Sequence, residues 1–225
     1  MREQQRGRSV VGWLVGTVTA ASLAAGLCST VAAAQLASRP AEEWVKVLES
    51  AERLASLRID DVVAALKLRP GDVVADLGAG TGPFIVPFAR AVTPKGKVYA
   101  VDIDKGFFPL IATKTKEAGV ANVQPVLGEF TDPKLPAADI DVAFFHDVLH
   151  HIENRAAYLG NLVKYLKPTA RVVVIDYNPA QSPHADQPAL QVSREQASAW
   201  LAQAGFKPVD DVTLFADKWF VVYAR

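Results

Sequence analysis

The sequence predicts an α/β fold: a Rossmann-like, doubly wound sheet of seven strands, mostly parallel, ending in a C-terminal antiparallel hairpin. Three observations predict it. Val73–Leu77 is a short apolar run that passes through Gly78-Ala79-Gly80-Thr81-Gly82 into a helical pattern, as a buried central strand does before a ligand loop. Further short apolar runs then alternate with helical periodicities, which is the rhythm of parallel strands joined by helices. Finally, residues 209–214 and 219–223 follow each other with only a short turn between them, so the last pair runs antiparallel.

Composition narrows the function classes. The 225 residues are half hydrophobic and 21% charged, enough for one domain with a full core. Lys plus Arg and Asp plus Glu are 24 each, so no net field favours nucleic acid or an anionic surface. Cys28 is the only cysteine and lies in the N-terminal apolar run, which leaves the domain without a disulfide, a cysteine nucleophile or a Cys-based zinc site.

Residues 1–34 read as a secretory signal peptide: Arg2, Arg6 and Arg8, then an uncharged run over 10–28, then Ala32-Ala33-Ala34 as a cleavage site before Gln35. The apolar run is nearly long enough to span a bilayer, so retention as a membrane anchor is the alternative. The expected location is therefore exported, either free or held by residues 10–28. Residues 35–69 form N-terminal helices and 70–225 the main domain.

Within 41–57, Trp44, Val47, Leu48, Ala51, Leu54 and Ala55 recur at helical spacing and predict one helix. Asp60 is a candidate N-cap for a second, over 61–68, stopped by Arg69-Pro70-Gly71. Gly78, Gly80 and Gly82 remove side chains that would hold a ligand off the backbone. The helix after them, 84–91, contains Pro87, which should kink or shorten its first turns. Lys97–Asp102 is the second strand; Asp102 stands where nucleotide-binding sheets place a carboxylate for ribose hydroxyls. Asp104 is a candidate N-cap. Residues 122–126 and 140–145 are strands three and four. A helix over 155–166, a strand over 171–176 and a Pro/Ala/Gln-rich loop over 177–191 follow. Ser193 and Gln196 then have capping-box spacing for a helix ending at Gly205.

Asp76-x-Gly78-x-Gly80-x-Gly82, Asp102, Gly128-Glu129 and Leu149-His150-His151 together resemble class I S-adenosylmethionine (SAM) dependent methyltransferases, over roughly 60–225. The resemblance implies SAM as cofactor. It implies that Asp76, Gly78, Gly80 and Gly82 surround its methionine part. Asp102, with Ile103 beside it, would hold the ribose, and Glu129 with Phe130 the adenine side. His146 and Asp147, at the tip of strand four, become candidates for contact with SAM or acceptor, and His150 for a general base; a structural role for the histidine pair is the alternative. His146/His150 and Asp147/His151 have i, i+4 spacing, but 146 and 147 end a strand, so no metal is expected.

The expected reaction is transfer of a methyl group from SAM to a small-molecule acceptor, with no nucleic-acid partner and contact with a membrane only if the N-terminal segment is retained. Two other readings stand beside it: a NAD(P)- or flavin-dependent oxidoreductase, and a non-catalytic SAM-binding envelope protein. Against the oxidoreductase, the glycine spacing is G-x-G-x-G rather than G-x-G-x-x-G.

Overall fold

The computed structural model describes residues 41–225. The leader and any anchor predicted from the sequence lie outside those residues. Among the described residues no helix is long and apolar enough to cross a membrane.

Seven strands form one sheet: β1 (Val73–Leu77), β2 (Lys97–Asp102), β3 (Val123–Leu127), β4 (Ile140–His146), β5 (Leu166–Tyr177), β6 (Lys207–Asp211) and β7 (Lys218–Ala224). Their order is β3-β2-β1-β4-β5-β7-β6. The first five are parallel, and β7 is antiparallel to both β5 and β6. The chain therefore makes a Rossmann-like, mostly parallel sheet with the last strand inserted inside the sixth, as the sequence predicts. Strand order reverses between β1 and β4, and a crevice opens beyond their C-terminal ends.

Among the described residues, seven α-helices accompany the sheet: α1 (Ala41–Leu48), α2 (Ala51–Ser56), α3 (Ile59–Leu66), α4 (Ile85–Ala91), α5 (Phe108–Glu117), α6 (Arg155–Leu162) and α7 (Arg194–Gln203). Alternate strand residues face two cores. Ala75, Tyr99, Ala143, Phe145 and Val174 pack on one side with Leu159 of α6 and Leu201 of α7. Val74, Val98, Phe144 and Val173 pack on the other with Leu66 of α3, Phe88 of α4 and Ile111 of α5. Covering on both faces is why the central strands read as unbroken apolar runs.

Four local expectations change. The single helix over 41–57 is two, because the Ser50 side chain caps a new start by accepting from the Arg53 N–H at 3.3 Å. Arg58, in a left-handed conformation, precedes α3 rather than Asp60 capping it. Pro87 is the third residue of α4, where its missing N–H would have had no partner in the helix. β5 begins at Leu166, ahead of Pro168, with α6 ending at Leu162 and a 3₁₀ turn over Val163–Tyr165 between them. The Ser193–Gln196 capping box forms in full.

Candidate functional site

A cavity of about 800 Å³ occupies the crevice beyond β1 and β4. Its floor is the β1 exit. Gly78 and Ala79 both donate to the Val101 carbonyl at 2.9 Å, and Gly82 donates to Ala79 at 2.8 Å, which pins the loop beside β2. Gly78, Gly80 and Gly82 all have positive φ, which suits residues lacking Cβ. Their surroundings differ. A Cβ on Gly78 would meet Val148 Cγ2 at 2.3 Å, and one on Gly82 would meet Ile111 and Ile85 at 3.0–3.1 Å. Those two glycines are required by packing against the protein itself, and Gly82 does not line the cavity. A Cβ on Gly80 would touch only Leu48, at 3.6 Å, so Gly80 is the one whose missing side chain leaves room beside the cavity. We expect Gly78→Ala to lower stability by about 2–3 kcal/mol through overpacking and strain. Adding Val148→Ala should recover part of that loss, read as urea midpoints in a double-mutant cycle.

Two carboxylates face this floor differently. Asp102 is fully engaged in shaping it: Oδ2 accepts from the Gly80 N–H at 2.8 Å and Oδ1 from the Asp104 N–H at 2.9 Å. Burial pushes its pKa up, and those backbone bonds oppose the shift. Each oxygen retains a second lone pair for a ligand hydroxyl. Asp76 is only 3% exposed, and its Oδ2 has no hydrogen-bond partner among the described residues. Burial, reinforced by the Asp102 charge, raises its pKa to about 8. An unpartnered carboxyl oxygen buried at a cavity floor fits a ligand that brings a cation or a donor.

At the mouth, Ile103 is 38% and Phe130 48% exposed, two apolar side chains left at the rim of the cavity. Glu129 also lines it, but its carboxylate turns to Lys134 Nζ at 3.3 Å on the surface.

The opposite wall is the β4 exit with the N-terminal helices. His146 is packed by Phe84, Phe144 and Phe215, with ring centroids 5.1, 6.1 and 5.9 Å away. Its Nδ1 lies 3.3 Å from Asp147 Oδ2, while Nε2 is buried without a partner among the described residues. Burial pushes its pKa down, against the pull of Asp147. Asp147 has φ 54°, a left-handed turn at the strand tip. Its Oδ2 accepts a hydrogen bond from Lys218 Nζ of β7 at 2.7 Å and makes an ion-pair contact with Arg53 Nη1 of α2 at 2.7 Å. Burial would raise the Asp147 pKa, but His146, Lys218 and Arg53 outweigh it and hold the carboxyl well below the usual carboxylate range. The Lys218 side chain is only 2% exposed and lies 4.6 Å from the centre of the Tyr177 ring.

His150 does not line the cavity. It is buried behind His151, with Nδ1 2.6 Å from Asp176 Oδ1 and its backbone N–H donating to Asp176 Oδ2 at 3.1 Å. His151 and His184 do line it. Burial, then the His150 and His184 rings, pushes the His151 pKa down to about 3.

Sequence reasoning did not single out Arg53, Lys218 or Asp176. Lys218 had one visible signal, a charge at the head of an otherwise apolar strand, and Asp176 another, an acid closing β5. Trp44, for which the sequence left open a core anchor or a pocket-lining role, stands in the cavity wall.

A family model described as a methyltransferase domain matches residues 68–208. The chain belongs to this methyltransferase family. Among curated proteins, the domain is 32% identical over 130 residues to an uncharacterized 37.1 kDa protein in transposon TN4556 of Streptomyces fradiae, covering 58% of this chain and 37% of that one. It is 30% identical over 111 residues to the ubiquinone/menaquinone biosynthesis C-methyltransferase UbiE of Vibrio vulnificus, covering 49% and 43%. The chain thus spans less than half the length of these two curated relatives. Among solved structures, a SAM-dependent methyltransferase from Aquifex aeolicus matches the methyltransferase domain with TM-score 0.72 and 24% identity, over 80% of this chain and 96% of that one. SAM is the cofactor of this class I fold, and the unpartnered Asp76 oxygen, the open Gly80 approach and the free lone pairs of Asp102 suit its amino, methionine and ribose parts.

Proposed function

We propose that this methyltransferase binds SAM between the β1 loop and the β2 exit, and methylates a small molecule with a largely apolar body held against the β4 wall. The observation that carries the reading is the buried, unpartnered carboxyl oxygen of Asp76 at the cavity floor. It calls for a cation at the point where the amino group of SAM would sit. Gly80 admits the methionine chain, Asp102 takes the ribose hydroxyls, and Ile103 and Phe130 flank the adenine, with Glu129 at its edge. Gly78 and Gly82 serve by shaping the loop.

SAM supplies a methyl group on a sulfonium centre, which departs as a neutral thioether. Orientation and exclusion of water therefore account for much of the rate. Trp44, Leu48 and Arg53 cover the cavity, and Arg53 fastens that cover to Asp147. His146 is the group suited to take a proton from the acceptor. Asp147 holds its Nδ1 side, Nε2 is free, and its lowered pKa keeps it neutral at physiological pH. His150 positions the wall rather than meeting the acceptor. His146→Gln should lower turnover by about a hundredfold, measured as release of the demethylated cofactor. If turnover is unchanged, no base is needed at this position.

Calorimetric titration of the full chain with SAM, and with NAD as control, tests the reading. Stoichiometric SAM binding that is lost in Asp102→Ala is the expected result; binding of NAD and not SAM would overturn it. A screen of phenols, amines and thiols for methyl incorporation then finds the acceptor. Export is part of the proposal: the mature chain should begin at Gln35 on N-terminal sequencing, whereas an intact Met1 in the membrane fraction would mean an anchor.

A further inference from the structure

We propose that His150, His151 and His184 form a binding site for one divalent transition-metal ion of the zinc class. One ligand nitrogen from each ring lies within 4.8 Å of the other two. The three are most of the chain's four histidines, and they come from two separate segments: the turn Leu149–His151 and the loop between β5 and α7. Ring centroids are 4.0 Å apart for His150–His151, 5.5 Å for His150–His184 and 5.4 Å for His151–His184. Among the described residues, the rings of His151 and His184 pack against the other rings of the trio and form no hydrogen bond. Polar rings brought together without partners on one cavity wall are what a ligand set looks like before its ion arrives.

The surroundings of His150 point the same way. A metal-bound imidazole usually gives its other N–H to a carboxylate, which fixes the ring and raises its basicity. Here Asp176 is buried and holds His150 Nδ1 at 2.6 Å, leaving Nε2 for the ion. Asp176 is itself fixed by the N–H groups of His150 and Tyr177. The nearby Arg155 guanidinium is committed to carbonyl oxygens of Leu149, His150 and Ala189, and the last of these bonds also ties down the loop that carries His184.

Three imidazoles and no thiolate suit zinc, copper, nickel or iron rather than calcium or magnesium. A tetrahedral zinc site needs nitrogens about 3.4 Å apart, so the set must tighten, by side-chain rotation of the half-buried rings of His151 and His184 on their fixed backbone. His151 and His184 line the cavity, so the fourth position opens into it, where water or an oxygen or sulfur anion completes the set. The ligand set is complete without SAM and does not depend on the methyl-transfer reading.

The test uses the full chain, stripped with a chelator and titrated with Co²⁺, followed by competition with Zn²⁺. One Co²⁺ per chain is expected, with the visible absorption of a tetrahedral site, displaced by one Zn²⁺. His184→Ala and His151→Ala should each weaken binding at least tenfold, with circular dichroism checking that the variants fold. Cys28→Ser should leave binding as it was. His184 is partly exposed on a loop, so its variant carries the test if His151→Ala fails to fold. Absence of stoichiometric Co²⁺ binding, or binding that survives His184→Ala, overturns the proposal. SAM titration of the same sample is read separately: metal binding without SAM binding would retire the methyl-transfer reading and leave the metal site standing.

Discussion

Asp147→Ala is expected to lower the stability of the folded chain by about 3–5 kcal/mol, the range for removing one partner of a buried ion pair. The side chains of Lys218 and Asp147 are 2% and 5% exposed, so the ammonium left behind could reach neither water nor another carboxylate at 2.7 Å. Arg53 is more exposed, and its share of the loss is correspondingly discounted for solvent screening. Asp147→Leu combined with Lys218→Met should restore most of the stability, because the penalty is that of an unpaired buried charge and not the worth of the pair. Urea unfolding of the two variants separates the cases; equal losses in both would show that the pair itself holds the β4 tip. Methyl transfer should be lost in both, since each removes the group that orients His146 and anchors Arg53.

The second large effect is on pH. Asp76 has a folded pKa of about 8 against an ordinary value of 3.8. Between these values the folded state keeps a proton that the unfolded chain has released. Stability of the ligand-free protein therefore falls as pH rises from about 4 to 8 and levels off above, at up to about 1.4 kcal/mol per unit. Asp76→Asn should flatten that contribution and be more stable than the parent at pH 8. SAM reverses the preference, because an ammonium at Asp76 favours the carboxylate. Binding should release a proton below pH 8, and affinity should rise by as much as tenfold per unit toward it. Calorimetry in buffers of different ionisation enthalpy counts that proton. A pH-independent affinity would mean that Asp76 does not face the amino group.

The parts of the site that lie along one stretch of chain are legible in the sequence. Asp76 to Gly82 carries strand, turn and helix start in order, and Asp102 closes its own strand. Ser193 and Gln196 announce a helix because a capping box is local by construction. Elsewhere, local signals conflict. The apolar periodicity from Trp44 to Ala55 runs straight across Ser50, so the break depends on one side-chain oxygen that periodicity cannot weigh. β6 is exposed at every residue, as an edge strand can be, and has no buried face to give it an alternating pattern. The glycines carry a subtler ambiguity. Sequence alone cannot say whether a missing Cβ makes room for a ligand, as at Gly80, or for Val148, as at Gly78. Least legible are Arg53, Asp147 and Lys218, which meet from α2, the β4 tip and β7. No spacing rule connects them, because only the folded sheet does.

The position of β7 in the sheet has a consequence for the order in which the molecule can be finished. A ribosome makes β6 before β7, yet β6 pairs only with β7, and β5 has no partner on that side until β7 arrives. The same seven residues deliver Lys218 to Asp147. Arg53, by contrast, is among the first described residues to emerge. A growing chain thus holds the roof of its cavity before any strand of the sheet exists, and acquires the strand and the charge that secure the opposite wall only after β6 has been made. A chain cut short before Lys218 would carry the whole glycine loop and still lack a finished sheet and a finished pocket.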